Sequence, residues 1–417
     1  MRFTNMRFNL ATFASRTMMA VALIAILAGF PQGVGSQPAG STPASGLASG
    51  GHARSVLLFI GDGMGAEQRK AGRWAAVGQS GQLAMDTLSV SGWLQTASAN
   101  NPITDSAAGA TAMATGVKTD NGHIGVDPDE GVLETILEIA EERGMVTGLV
   151  TTVEVSHATP AAFAAHVPDR NMMLEIALQM IGSGVDVLLG GGEDEFLPPA
   201  EAGCYAGVGE RTDGRNLIAE AQASGFTYVC DAAGLATVNT LTTDQLLGHF
   251  AGAEMQRPYS PTLAEMTEAS IEILSGDPQG FFLMVEGGRI DKAGHANDGA
   301  NVILDVIGFD EAVQVGLDYA ALHPDTLVIV AADHETGGMS VSLSSTSAPD
   351  EDGPFTMPDS TPFYINWTTT GHTAADVPVT ASGPWSTTLQ GTHQNTEVFF
   401  TMRKAQDWWV LLPLIQR

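Results

Sequence analysis

Positive charge is scarce in this sequence: 18 Lys and Arg stand against 47 Asp and Glu, for a formal net charge of −29. A field of that sign excludes nucleic-acid binding by phosphate neutralisation. Long apolar runs are also missing. A bilayer span takes roughly 20 apolar residues, and nothing after the N-terminus reaches that. The apolar stretch 408–415 is short and interrupted by Pro413, so core packing is its expected role. Cysteine is limited to Cys204 and Cys230 in a Gly-rich excursion. In an oxidising compartment such a pair can close a loop, which is the expectation here, with two buried thiols as the alternative.

The N-terminus supplies the compartment. Arg2, Arg7 and Arg16 come without an acid, an apolar run covers 18–30, and Pro31, Gly33, Gly35 and Ser36 follow. That order reads as a secretory signal peptide, assigned to 1–35, ahead of a membrane anchor because the run falls short of the roughly 20 residues of a bilayer span and small residues follow it. A Gly, Ser, Ala and Pro leader without periodicity covers 36–52, and a single catalytic domain is expected over 53–417. The protein is expected to be exported, to periplasm or medium, with no membrane attachment after signal removal.

Short β-rich apolar runs at 56–60, 145–151, 185–189, 281–285 and 327–331 alternate with helical patterns at 132–143, 172–181, 262–274 and 302–320. The alternation predicts an α/β fold with a large, mostly parallel central sheet and helices on both faces. Ligands of such sheets sit beyond the carboxyl ends of the strands, so the residues that follow each run carry the functional reading. After 56–60 comes Gly61-Asp62-Gly63, a tight turn or a ligand at a strand end. After 281–285 come Glu286 and the pair Asp291 and His295, which share a helix face if Asp291 opens a helix. After 327–331 comes Asp333-His334. Ionised carboxylates are rarely buried unless paired or metal-bound, so three strand ends delivering them point jointly to a metal site. Mixed Asp and His ligands suit zinc, and an all-oxygen set suits magnesium or calcium.

A nucleophile is offered by Asp105-Ser106-Ala107, where a small-residue helix begins. Ordinary N-capping is the alternative. A helix N-terminus favours an anion, and an adjacent metal can activate serine without a histidine base. The lack of a G-x-S-x-G elbow agrees with that choice. The stretch 342–359, rich in Ser, Thr, Pro and acid, reads as a surface loop near the cleft mouth or a subunit contact.

Taken in order, Gly61-Asp62-Gly63-Met64, Asp105-Ser106-Ala107, His157-Ala158-Thr159-Pro160-Ala161, Glu286 through Asp291, Ala332-Asp333-His334 and Thr370-Gly371-His372-Thr373 resemble the alkaline phosphatase family across nearly all of the chain after the leader. The resemblance implies hydrolysis of phosphate monoesters at alkaline pH through a phosphoserine on Ser106. It implies one zinc on Asp291, His295 and His372, a second on Asp62, Asp333 and His334, and magnesium on Asp62, Thr159 and Glu286. Arg170 matches the family's phosphate-clamping arginine, with a surface arginine as the alternative. Lys292 is expected to reach phosphate through water. His157 and Asp105 are expected behind the layer of direct ligands. His372 is preferred over His393 as the last zinc ligand. His52, His123, His166, His249 and His323 match no ligand motif and are expected to be structural or surface histidines. Phosphodiester or sulfate-ester cleavage, or phosphate and metal binding without turnover, are the rival activities. The expected partners are small-molecule phosphate monoesters, with a homodimer left open.

Overall fold

The computed structural model describes residues 51–207 and 209–407. The expected signal peptide, residues 36–50 of the leader and the apolar stretch 408–415 lie outside the described residues.

Each apolar run expected to be a strand is one, because a run buried on both faces has no polar alternation to keep. In chain order the strands are β1 (Ser55–Ile60), β2 (Val90–Gln95), β3 (Val146–Glu154), β4 (Val187–Gly191), β5 (Thr227–Val229), β6 (Leu246–His249), β7 (Phe281–Glu286) and β8 (Thr326–Ala331). Then come β9 (Glu335–Thr336), β10 (Ser340–Ser342), β11 (Asp352–Thr356), β12 (Pro362–Asn366), β13 (His372–Thr373), β14 (Val377–Ser382) and β15 (Gly391–Gln394). Ten of them form one sheet in the order β15-β2-β14-β8-β1-β7-β3-β4-β6-β5. Its pairs are parallel except where β14 runs against β2 and β8. The helices Leu263–Leu274 and Gly299–Leu322 pack together over β3, β7 and β8, and Ile136–Glu142 and Ala158–Ala164 cover β3 and β7 from the other face.

The order β8-β1-β7 matters most for function. Ile60, the last residue of β1, is level with Glu286 of β7 and Ala331 of β8. Three neighbouring strands therefore end at the same height, and Asp62, Glu286 and Asp333 emerge together.

Two expectations need correction. The helix expected over 132–143 starts at Ile136, because Thr135 caps it by accepting from Glu138 N–H while the Glu138 side chain accepts from Thr135 N–H. Apolar Val132 and Leu133 precede this capping box and are not helical. The stretch 342–359 is not all loop: β11 lies within it and pairs with β12. Cys204 and Cys230 form the expected disulfide.

One buried acid beyond β4 carries a prediction. Glu195 lies in the 3-10 turn Glu193–Phe196, and its Oε2 is buried without a hydrogen-bond partner. Burial, with Glu154, Glu210 and Asp194 nearby, pushes its carboxyl up to about 8 from an ordinary 4.5. The folded chain thus holds a proton that the unfolded chain has released, and this group's contribution to stability falls as pH rises through that window. Glu195→Gln is expected to melt like the parent near pH 5 and several degrees higher near pH 9. A melting difference that does not change with pH would remove the basis for this assignment.

Candidate active site

Ser106 is the first residue of the helix Ser106–Thr115, whose cap is Asp105, accepting from Ala108 N–H through its side chain. All ten residues of that helix are buried. Small side chains let it approach the end of β8: a Cβ on Gly109 would lie 3.1 Å from the Asp333 carbonyl oxygen. The approach brings Ser106 Oγ to 3.2 Å from His334 Nε2. Gly63 solves a similar problem at the end of β1. Its φ is +68°, and a Cβ there would stand 2.7 Å from Thr336 Oγ1 and 3.0 Å from Asp291 Oδ1.

Three groups of ligand-type side chains converge around Ser106. The atoms within each group lie inside 4.8 Å of one another. In the first, Asp291 Oδ2 is 3.2 Å from His295 Nε2 and Asp291 Oδ1 is 3.5 Å from His372 Nε2. The helix Arg289–His295 puts Asp291 and His295 one turn apart, and the pairing of β13 with β9 delivers His372. His372 Nδ1 faces the Thr104 carbonyl at 2.9 Å, and His295 Nδ1 faces the Thr370 carbonyl at 2.6 Å. With both Nδ1 atoms facing carbonyls, neutral rings turn their Nε2 lone pairs inward, 3.1 Å apart, and protonated rings present Nε2–H to Asp291.

The second group is Asp62, Asp333 and His334, all wholly buried. His334 Nε2 is 3.4 Å from Asp62 Oδ1 and 3.3 Å from Asp333 Oδ2. Asp333 Oδ1 accepts from Gly63 N–H at 3.1 Å and His334 N–H at 3.0 Å. Asp333 Oδ2 and both Asp62 oxygens have no hydrogen-bond partner. The third group shares Asp62 with Glu286 and His157. Thr151 Oγ1 donates to Glu286 Oε2, and Oε1 is left without a partner. Thr159 is wholly buried beside the Glu286 carboxylate. His157, expected behind the ligands, is itself within ligand range of Asp62 and Glu286.

The electrostatics follow from four carboxylates meeting out of water. Burial, reinforced by Asp333, Asp291 and Glu286, raises the Asp62 carboxyl well above its usual range. Burial pushes Glu286 up to about 7. Burial also acts to raise Asp291, but bonds from His295 and His372 outweigh it and hold that carboxyl well below its usual value. The buried imidazoles of His157 and His334 are pushed down by desolvation and are neutral. Neutral imidazole and ionised carboxylate are the forms that bind metal. The orphaned oxygens of Asp62, Asp333 and Glu286 fit divalent cations, since bare buried carboxylates are otherwise too costly to keep charged.

Arg170 Nη1 donates to Asp105 Oδ2 at 3.1 Å, and Nη2 lies 3.3 Å from His157 Nε2. Lys292, half-buried on the Arg289–His295 helix, exerts its charge on Glu286 and His157. His393 is not part of this assembly: it sits on β15 with Nε2 against the Gln390 carbonyl. An open cleft of about 420 Å³ runs between Ile103, Asn121, His295 and His372. Sequence reasoning missed two participants. Thr336 Oγ1 donates to Asp291 Oδ1 at 2.5 Å, and Asn121 braces the loop ahead of Ser106. Thr336 closes the two-residue strand β9, too short to show any periodicity, and Asn121 lies in a turn.

The chain is similar to known proteins over most of its length. The alkaline phosphatase family profile matches residues 53–363 and 358–408. Streptomycin-6-phosphate phosphatase of Streptomyces griseus is 36% identical over 416 residues, covering 85% of this chain and 90% of its own. Alkaline phosphatase of Escherichia coli K12 is 35% identical, covering 85% and 86%. The solved alkaline phosphatase of the Antarctic bacterium TAB5 superposes with a TM-score of 0.74 at 31% identity, covering 86% of this chain and 99% of that one. A histidine-to-aspartate mutant of the same enzyme, 32% identical with the same TM-score and coverage, carries magnesium in its M3 site. Among the described residues no helix is long and apolar enough to cross a membrane. With match, identity and fold agreeing over most of its length, the chain belongs to the alkaline phosphatase family and is a phosphomonoester hydrolase.

Proposed function

We propose that this protein, exported and freed of its leader, hydrolyses phosphate monoesters through a phosphoserine on Ser106, in a site that holds two zinc ions and one magnesium. One observation carries the reading: a buried serine hydroxyl at a helix N-terminus lies 3.2 Å from His334 Nε2, an imidazole grouped with Asp62 and Asp333, whose carboxylates keep buried oxygens without a hydrogen-bond partner. Asp291, His295 and His372 would hold the first zinc, and Asp62, Asp333 and His334 the second. Asp62, Glu286 and Thr159 would hold magnesium, with His157 alongside. When bound, these ions supply Lewis-acid charge that eases deprotonation of the nucleophile and departure of the leaving oxygen.

The chain's own groups do the rest by position. Ser106 Oγ forms a bond to phosphorus as its proton leaves, the ester oxygen departs and is protonated to the alcohol, and phosphoserine remains. Water then cleaves phosphoserine, restoring the hydroxyl and releasing inorganic phosphate. The open N–H groups of the Ser106–Thr115 helix favour the anion there. The Arg170 guanidinium, aligned by Asp105, offers two donors to the non-bridging oxygens. Lys292 adds positive charge behind Glu286.

The test is phosphate release from an aryl monoester at alkaline pH by metal-loaded protein, beside a phosphodiester and a sulfate ester. Monoester turnover well above the other two is expected, and a diester or sulfate preference would displace the reading. Arg170→Ala is expected to lower kcat/KM for the monoester about 100-fold, the scale of losing one donor to transition-state charge. A loss below threefold would show that Arg170 does not hold phosphate.

A further inference from the structure

We infer that Asn121 is a positioning residue for this reaction, setting nucleophile, phosphate clamp and one imidazole of the first metal group through a single side-chain amide. The inference rests on the reading of Ser106 and Arg170 given above. The amide of Asn121 straddles Thr104: Nδ2 donates to the Ile103 carbonyl at 3.0 Å, and Oδ1 accepts from Asp105 N–H at 3.3 Å. With both flanking peptides tied, the Thr104 carbonyl has little freedom, and that carbonyl faces His372 Nδ1 at 2.9 Å. The next residues along are Asp105 and Ser106. One amide therefore fixes a peptide segment that orients an imidazole on one side and presents the nucleophile on the other.

The same turn reaches the arginine. Gly122 N–H donates to Asp105 Oδ2 at 3.0 Å, the oxygen that also receives Arg170 Nη1. Arg170 N–H in turn donates to the Gly122 carbonyl at 2.8 Å. Ile124 and Val167 close an antiparallel bridge just beyond. The turn at Asn121 and Gly122 is thus bonded to both loops that face phosphate, and their spacing is set through it. Asn121 has the required chemistry, one donor and one acceptor on a planar group, and aspartate keeps only the acceptor.

The experiment uses the metal-loaded full chain and an aryl phosphate monoester, with Asn121→Ala, Asn121→Asp, Arg170→Ala and the double variant Asn121→Ala with Arg170→Ala. Asn121→Ala is expected to lower kcat/KM about 100-fold, since displacing reacting groups by about 1 Å costs that much. It should weaken competitive inhibition by inorganic phosphate and leave the melting temperature within a few degrees of the parent. Asn121→Asp should fall between the two. The double variant should lose at least tenfold less than the product of the single losses, because both act in part through the guanidinium. Multiplying losses, an unchanged inhibition constant for phosphate, or activity that falls only with the folded fraction would each overturn the inference. If the parent protein releases no phosphate from any monoester, the failure belongs to the proposed function and not to Asn121.

Discussion

Ser106→Ala is expected to lower monoester turnover roughly ten-thousandfold, the scale seen when a nucleophile is removed from a covalent mechanism. Acid quenching of the parent during turnover of labelled substrate should trap label on Ser106, and the variant should trap none. The substitution is a mild one for the fold. Ser106 is buried, alanine suits the first turn of a helix, and the only side-chain bond lost is the 3.2 Å contact to His334. A stability change of no more than about 1 kcal/mol is expected. Metal content should be unaltered, because the variant keeps every carboxylate and imidazole of the three convergent groups. Turnover above about one per cent of the parent would make direct attack by water the better mechanism.

Removing divalent cations should have an effect of similar size on activity and a second effect on stability. The oxygens of Asp62, Asp333 and Glu286 that lack hydrogen-bond partners would be compensated by the ions proposed for this site and by little else. Chelated protein is expected to lose more than about 99.9% of its turnover, and zinc with magnesium should restore it. Its melting temperature should fall by several degrees, since a ligand at 100 times its Kd stabilises by about 2.7 kcal/mol. The loss should depend on pH. Glu286 is pushed up to about 7 and Asp62 is raised well above its usual range, so in the chelated state these groups favour the folded form only while protonated. Chelated protein should therefore be more stable near pH 6 than near pH 9, while loaded protein, whose ligands stay ionised, should not share that slope. Calorimetry of both forms at the two pH values decides the matter. Equal melting curves with and without metal would argue that the carboxylates hold no ion.

The strands were legible because burial on both faces writes a continuous apolar run into the sequence. Asp62, Glu286 and Asp333 were legible for a related reason, as charged residues at the point where each run stops. The Asp291 and His295 spacing could be read once a helix was assumed. His372 was different: the two-residue strand that carries it has no periodicity, and only the family resemblance singled it out. His393 was the poorer match to that family motif and lies on the edge strand β15. The start of the helix at Ile136 was misplaced although its capping box, Thr135 and Glu138, was there to be read. Asn121 was beyond reach because its partners are the backbone groups of residues 103 and 105, and no side-chain pattern records where a loop returns.

The strand order has a consequence for synthesis. β1, the earliest strand among the described residues, sits between β7 and β8, which are made last among the three that bring carboxylates together. Gly63 N–H and Asp333 Oδ1, bonded at 3.1 Å, are separated by 270 residues of chain. A growing polypeptide cannot close the site until synthesis has passed from Asp62 to His372, and contacts so distant in sequence form slowly. Truncated products ending before β13 lack His372 and should be inert toward phosphate esters. Emergence of His372 thus sets the earliest moment for hydrolysis, and the enzyme stays silent while synthesis is still short of that residue.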